Sequence, residues 1–303
     1  MRLYRGHMAR VIIRADSSNS MGTGHIMRCL VLAEQFYDVL FAVRDLDGSI
    51  NGRINYPVHL LKSGNIDELI ELVREHKAET LIIDHYGIGY DDEKRIKELT
   101  GVRLFCLDDT YEKHFCDVLL NHNVSADAGR YRGLVPSYCE LRCGSEYTLL
   151  RDEFRIQKEI GRKQYDRNRV FVAMGGADTA GLNEKICDVL SGFPLNISVI
   201  TTTANARLES LKKYAEDHEN IELCVNAENV AKIMNRSCFG IITPSVTANE
   251  AYYLGVPLIA VKTADNQNDI YEFLKKQGFC VMDELDTEKL KNCVKDITDG
   301  CGK

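Results

Sequence analysis

No stretch of the chain approaches the ~20 consecutive apolar residues that a membrane-spanning helix needs, although 45% of its residues are hydrophobic. A membrane-embedded protein is therefore not expected. The first residues lack an apolar h-region, so neither is a signal peptide. An excess of positive charge is missing too. The net charge of −7 argues against a general nucleic-acid binder. There is no C-x-x-C pair. The eleven cysteines are scattered through predicted strands and helices, and they read as reduced, mostly buried thiols of a cytoplasmic protein, not as disulfides or zinc ligands. No Walker lysine motif occurs, and no Gly-x-Gly-x-x-Gly follows the first strand, so nothing supports a hydride-transfer cofactor. His85 and His122 lack partners at metal-ligand spacing. Asp108-Asp109 only weakly resembles a magnesium pair. No metal and no cofactor are expected.

Strand and helix patterns alternate along the chain. Residues 11–15, 39–43, 58–61, 80–84, 102–107 and 117–121 read as strands or extended segments, with helices predicted over 24–36, 66–76 and 91–99. The run Thr80-Leu-Ile-Ile-Asp84 has a continuous apolar centre, as strands buried on both faces of a parallel sheet do. After a charged stretch over 157–169 the rhythm returns. Strands are predicted over 169–174, 196–201, 221–225, 239–243 and 256–261, and helices over 181–190, 206–217, 229–235, 248–254, 267–277 and 287–298. Such alternation predicts an α/β protein of two Rossmann-like, doubly wound parallel-sheet domains. The first is expected over 8–154 and the second over 169–303, with 155–168 as a linker. Residues 1–7 read as a tag or extension ahead of a working start at Met8. Two such halves imply an inter-domain cleft at the carboxyl ends of the strands. Nothing reads as a coiled coil or an obvious interface, so a monomer is expected.

Chemistry concentrates in three loops at strand ends. The first is Gly22-Thr-Gly-His25, between a strand and a helix start. Glycines let the backbone approach a ligand, and the free N–H groups of the first helical turn face it. The loop also delivers a histidine to the positive end of a helix dipole, which favours the neutral, basic form. The second loop is Gly175-Gly176, with Asp178 suited to cap the next helix. The third is Ser245-Val246-Thr247, at a helix start. Ser245 and Thr247 suit N-caps, the commoner use of such residues. With Gly175-Gly176 they also suit a diphosphate site without a metal. Glu250, one turn on, fits either the two hydroxyls of a ribose or compensation of the helix dipole.

Several segments, in order, give the chain a family resemblance. They are Arg14-Ala-Asp-Ser-Ser18, Gly22-Thr-Gly-His25, Ile82-Ile-Asp-His-Tyr-Gly87, Leu107-Asp-Asp109, Asp117-Val-Leu-Leu-Asn121, Gly133-Leu-Val-Pro136, Arg142-Cys-Gly144, Leu150-Arg-Asp-Glu-Phe154 and Met174-Gly-Gly176. With these the chain resembles the PseG-type UDP-2,4-diacetamido-2,4,6-trideoxy-β-L-altropyranose hydrolases, relatives of the MurG-like glycosyltransferases of the GT-B superfamily. The resemblance spans nearly everything from Met8 onward.

That resemblance implies a GT-B fold and hydrolysis of the UDP-sugar to UDP and 2,4-diacetamido-2,4,6-trideoxy-L-altropyranose. Water attacks the anomeric carbon with inversion, the C–O bond breaks, and no metal is needed. The setting implied is pseudaminic acid biosynthesis and flagellin glycosylation. Carried over by position, His25 is the general base and Tyr86 positions substrate or water. Gly22, Gly24, Arg14, Asp16, Asp84 and Arg151 are expected to contact substrate. The UDP half is expected on Gly175, Gly176, Ser245, Val246, Thr247 and Glu250, with Asn266 and Gln267 near the phosphates.

Three rival readings share parts of this pattern. A glycosyltransferase with a UDP-N-acetylhexosamine donor would use the same fold. A hydrolysing UDP-sugar 2-epimerase would draft carboxylates such as Asp84, Asp108 and Asp109. A nucleotide-sugar sensor would have no use for His25. No exposed apolar segment in the first half suits a lipid acceptor, so hydrolysis is the expected activity.

Overall fold

In a computed structural model of the protein, residues 10–19, 21–163 and 165–300 are described. The expected extension over 1–7 and the start at Met8 lie outside the described residues. The chain divides into two units, residues 1–149 and 150–303. No helix among the described residues is long and apolar enough to cross a membrane.

The first unit is built on a seven-stranded sheet. Its strands are β1 (Arg10–Ala15), β2 (Asp38–Arg44), β3 (Val58–Leu61), β4 (Thr80–Asp84), β5 (Arg103–Leu107), β6 (Val118–Asn121) and β7 (Glu140–Cys143). They lie in the order β3-β2-β1-β4-β5-β6-β7, every pairing parallel. Helices α1 (Gly24–Ala33), α2 (Ile66–Glu75) and α3 (Tyr90–Thr100) supply crossovers. The two-residue period of a strand divides β1 between two cores. Val11, Ile13 and Ala15 pack with Ile26, Cys29 and Leu32 of α1. Ile12 packs in the layer of Leu69, Val73 and Ile96, from α2 and α3. Strand β7 has no apolar run, because Glu140 and Arg142 alternate with Leu141 and Cys143. It forms as an edge strand, paired to β6 alone.

The second unit opens with α4 (Asp152–Ile160). Its strands are β8 (Asp166–Ala173), β9 (Asn196–Thr201), β10 (Ile221–Val225), β11 (Ser237–Ile242), β12 (Leu258–Val261) and β13 (Cys280–Met282). They lie in the order β10-β9-β8-β11-β12-β13, again all parallel. Around them stand α5 (Asn183–Leu190), α6 (Leu208–Glu216), α7 (Val230–Arg236), α8 (Val246–Leu254), α9 (Asn268–Lys276) and α10 (Thr287–Gly300). Residues 155–168, read from sequence as a linker, hold most of α4 and the start of β8. Phe154 explains the difference. It is fully buried with Phe171, Met234 and Ala248, so α4 packs on α7 and α8 while presenting a charged outer face. The Phe171 ring also needs Gly240 on β11, where a Cβ would fall 2.2 Å from it.

One cysteine pair departs from the expectation of reduced thiols. Cys280 of β13 and Cys293 of α10 are joined in a disulfide. Their separation of 13 residues matches no motif, and they meet because α10 packs back against the sheet. The other eight cysteines among the described residues are free.

Candidate active site

In each sheet the chain winds outward in both directions from a central pair of strands, β1 with β4 and β8 with β11. Doubly wound sheets bind ligands beyond the carboxyl ends of such a pair. Every loop singled out in the sequence follows one of these strands or its neighbour.

In the first unit, β1 delivers the glycine loop and β4 ends in Asp84. His25 lies in the first turn of α1 and is buried. Its Nδ1 is 2.6 Å from Asp84 Oδ1. Arg28 stands three residues on, on the same helix face. Its Nε donates to Asp84 Oδ2 at 2.6 Å and its Nη2 to Oδ1 at 2.5 Å. Its Nη1 donates to Asp109 Oδ2 at 2.9 Å. The Tyr86 hydroxyl donates to Asp109 Oδ1 at 2.8 Å. The Tyr86 ring meets His25 edge-on, with centroids 4.8 Å apart.

These contacts fix the protonation pattern. Burial opposes a charge on Asp84, but Arg28 and the His25 N–H together hold the carboxyl well below the usual range. An ionised Asp84 only accepts hydrogen bonds, so His25 carries its proton on Nδ1 and presents a lone pair on Nε2. Arg28 Nη2 also approaches Nδ1 to 3.0 Å, because both groups donate to the same oxygen. Burial, then Asp109, pushes the Tyr86 phenol upward, so it stays protonated. Two carboxylates and one guanidinium leave this cluster with one negative charge.

His122, just past β6, is also buried. Neither ring nitrogen has a hydrogen-bond partner among the described residues. Burial, then the Arg28 charge, pushes its pKa down to about 4, so it is neutral.

Arg14 and Asp16, expected from the sequence to contact substrate, are buried in the structure. They form a buried bidentate pair, with Nη1 and Nη2 each 2.6 Å from a carboxylate oxygen. Arg14 also donates to the carbonyls of Ala15 and Ala42. Asp16 accepts from the Arg44 N–H at 2.7 Å and faces His85 Nε2 at 3.3 Å. Burial would raise this carboxyl, and hydrogen bonds from His85, Arg14 and Arg44 drive it far below the usual range. The pair anchors the loop from below. Gly22 takes φ +79° and closes a bridge to Ser18. At Gly24 a Cβ would meet no atom within 4 Å, so the backbone there is open to approach.

In the second unit, Gly175 has φ +83°, and a Cβ at Gly176 would press the Thr202 side chain at 2.9 Å. Asp178 caps α5, accepting from the N–H groups of Leu182 and Asn183 at 2.9 and 3.1 Å. Ser245 occupies the N-cap of α8 but makes no capping bond with its side chain. Its hydroxyl and the first-turn N–H groups, with Val246 exposed and Thr247 half-buried, can therefore meet an anion. Glu250 follows one turn later. Burial, with Glu153 adding to it, pushes its carboxyl up to about 7 against the pull of Arg151. Arg151 belongs to this unit, where it contacts Glu250 at 3.3 Å and Glu153 at 2.5 Å. Gln267 is held internally, its Oε1 accepting from Thr243 Oγ1 at 2.8 Å and the Thr263 N–H at 2.9 Å. Asn266 is exposed in the short turn before α9.

The structure thus gathers His25, Asp84 and Tyr86 in one unit, and Gly175, Gly176, Ser245 to Thr247, Glu250, Arg151 and Gln267 in the other. It adds Arg28, Asp109 and His122 to the first group. The spacing of Arg28 from His25 could have revealed it. His122 carries no such signal, because its place depends on β6 lying beside β5.

The UDP-2,4-diacetamido-2,4,6-trideoxy-beta-L-altropyranose hydrolase of Campylobacter jejuni is 46% identical to this chain over 271 residues, 89% of this chain and 97% of the relative. The chain belongs to this PseG family. No protein-family model matches it. Among solved structures, MurG of Acinetobacter baumannii aligns with a TM-score of 0.64 and 14% identity, over 95% of this chain and 90% of that one. The glycotransferase of kitacinnamycin gives 0.65 and 11% identity, over 97% and 91%. These two likenesses concern the fold, which is that of the GT-B enzymes.

Proposed function

We propose that the protein hydrolyses UDP-2,4-diacetamido-2,4,6-trideoxy-β-L-altropyranose to UDP and the free sugar in pseudaminic acid biosynthesis, inverting the anomeric carbon without a catalytic metal. The observation that carries this reading is His25, with Nδ1 fixed by Asp84 and Nε2 left to take a proton from water. General base catalysis of this kind contributes ~10²–10⁴-fold. The family relative of the same named activity supports the choice of substrate.

Departure of UDP needs charge stabilisation more than a strong acid. The uncapped N-terminus of α8 and the Gly175-Gly176 turn suit the diphosphate, and Glu250 suits the ribose. The carboxylates that a 2-epimerase would recruit are engaged elsewhere. Asp84 serves His25 and Arg28. Asp108 accepts from Thr110, Tyr111 and Tyr131. Burial opposes its charge, yet His114, Thr110 and Tyr131 hold it well below the usual range. Neither is a proton donor at neutral pH.

The test is proton NMR of the protein with this UDP-sugar, without acceptor and with EDTA. The expected products are UDP and a free sugar that is initially in the inverted anomeric form. Intact substrate, or a sugar altered at C2, would overturn the reading.

A further inference from the structure

In the first unit, α3, β5 and the loop after β5 bring three donor atoms together. Glu93, Cys106 and His114 are fully or almost fully buried, and one donor atom from each lies within 4.8 Å of the others. Among the described residues this is the one such group. Cys106 Sγ is 3.2 Å from Glu93 Oε1, and His114 Nδ1 is 2.6 Å from the same oxygen. The sequence conceals the set because its members come from separate elements and match no zinc-binding spacing.

We propose that Glu93, Cys106 and His114 form a structural zinc site. A thiolate, an imidazole and a carboxylate are the donor types that Zn²⁺ selects. Ligand atoms around tetrahedral zinc stand ~3.3–3.5 Å apart, given bonds of ~2.0–2.3 Å, so small side-chain shifts close the site. Binding displaces the Cys106 thiol proton and the proton shared by His114 Nδ1 and Glu93, which pass to solvent. One thiolate, one carboxylate and Zn²⁺ then sum to zero charge, which suits a buried site.

Two further features fit. His114 Nε2 lacks a hydrogen-bond partner among the described residues, yet it faces Asp108 Oδ1 at 3.8 Å. A carboxylate behind the far nitrogen of a metal-bound histidine is the usual outer-shell arrangement. His114 and Asp108 also line a pocket of about 520 Å³, which gives the ion a route in. The Cys116 thiol lies against Cys106 but outside the set of three. The competing arrangement is a metal-free one, with a protonated His114 bonded to Glu93 and the Cys106 thiol donating to the same carboxylate.

The test uses the full-length protein, supplied with Zn²⁺ and washed with a mild chelator, and measures bound metal. About one equivalent per chain is expected. Cys106→Ser and His114→Ala should each weaken binding by more than the ~10–100-fold typical of outer-shell changes. Cys224→Ser, on β10 of the second unit, should bind as wild type. Cd²⁺ added to the wild type should give a thiolate-to-metal charge-transfer band, a readout that needs no variant to fold. No retained zinc, no such band, or loss of binding in Cys224→Ser would each overturn the assignment.

Discussion

His25 Nδ1 and Asp84 Oδ1 stand 2.6 Å apart across 59 residues of sequence. The contact exists because β1 and β4 are parallel neighbours with Ala15 opposite Asp84, so the helix after β1 starts beside the end of β4. It sets which nitrogen of His25 holds the proton. Arg28 shares the carboxylate and balances its charge, which keeps Asp84 from binding a proton of its own.

Asp84→Asn tests this orientation. Asparagine keeps the shape but offers an amide donor toward His25, which favours the opposite tautomer. The expected result is a fall in kcat of ~10²–10⁴-fold, with little change in UDP affinity because UDP is assigned to the second unit. Steady-state kinetics with UDP titration reads both. Unchanged kcat would remove Asp84 from the mechanism.

Glu250 gives a pH dependence with a definite sign. Its folded-state pKa is raised to about 7 from an ordinary value of 4.5, so the folded protein keeps a proton that the unfolded chain releases. Stability therefore falls as pH rises from about 4.5 to about 7. Glu250→Gln removes that proton equilibrium. Its stability relative to wild type should rise across this window and level off above it. Thermal melts at a series of pH values measure this. A pH-independent difference between the two proteins would contradict the assignment.

Much of this arrangement is legible in the sequence. The apolar cores of β4 and β11 and the glycine turns at strand ends predict the two sheets and the loops that matter. What escapes is whatever tertiary packing decides. Strands β7 and β13 are short edge strands, and α4 shows a charged face that conceals Phe154. Arg14 and Asp16 stand in a matching segment, but the structure pairs them with each other. The Cys280–Cys293 bond and the Glu93, Cys106 and His114 group depend on elements that meet only in the folded chain. Arg28 is the avoidable omission, being one helical turn from His25.

Phe154→Ala tests whether α4 is part of the second unit. Removing a fully buried phenylalanine costs ~3–5 kcal/mol. Amide exchange should accelerate in α7, α8 and β11, which border its cavity. Protection in β1, β4 and β5 of the first unit should persist. An exchange pattern identical to wild type would make α4 a free-standing connector.

The most direct test of the catalytic assignment is the single-turnover rate of His25→Asn, measured alongside its UDP dissociation constant. If His25 is the base that activates water, the rate falls by at least ~10²-fold while UDP binds as it does to wild type. Near-wild-type turnover in a folded His25→Asn protein would contradict it and move the base elsewhere.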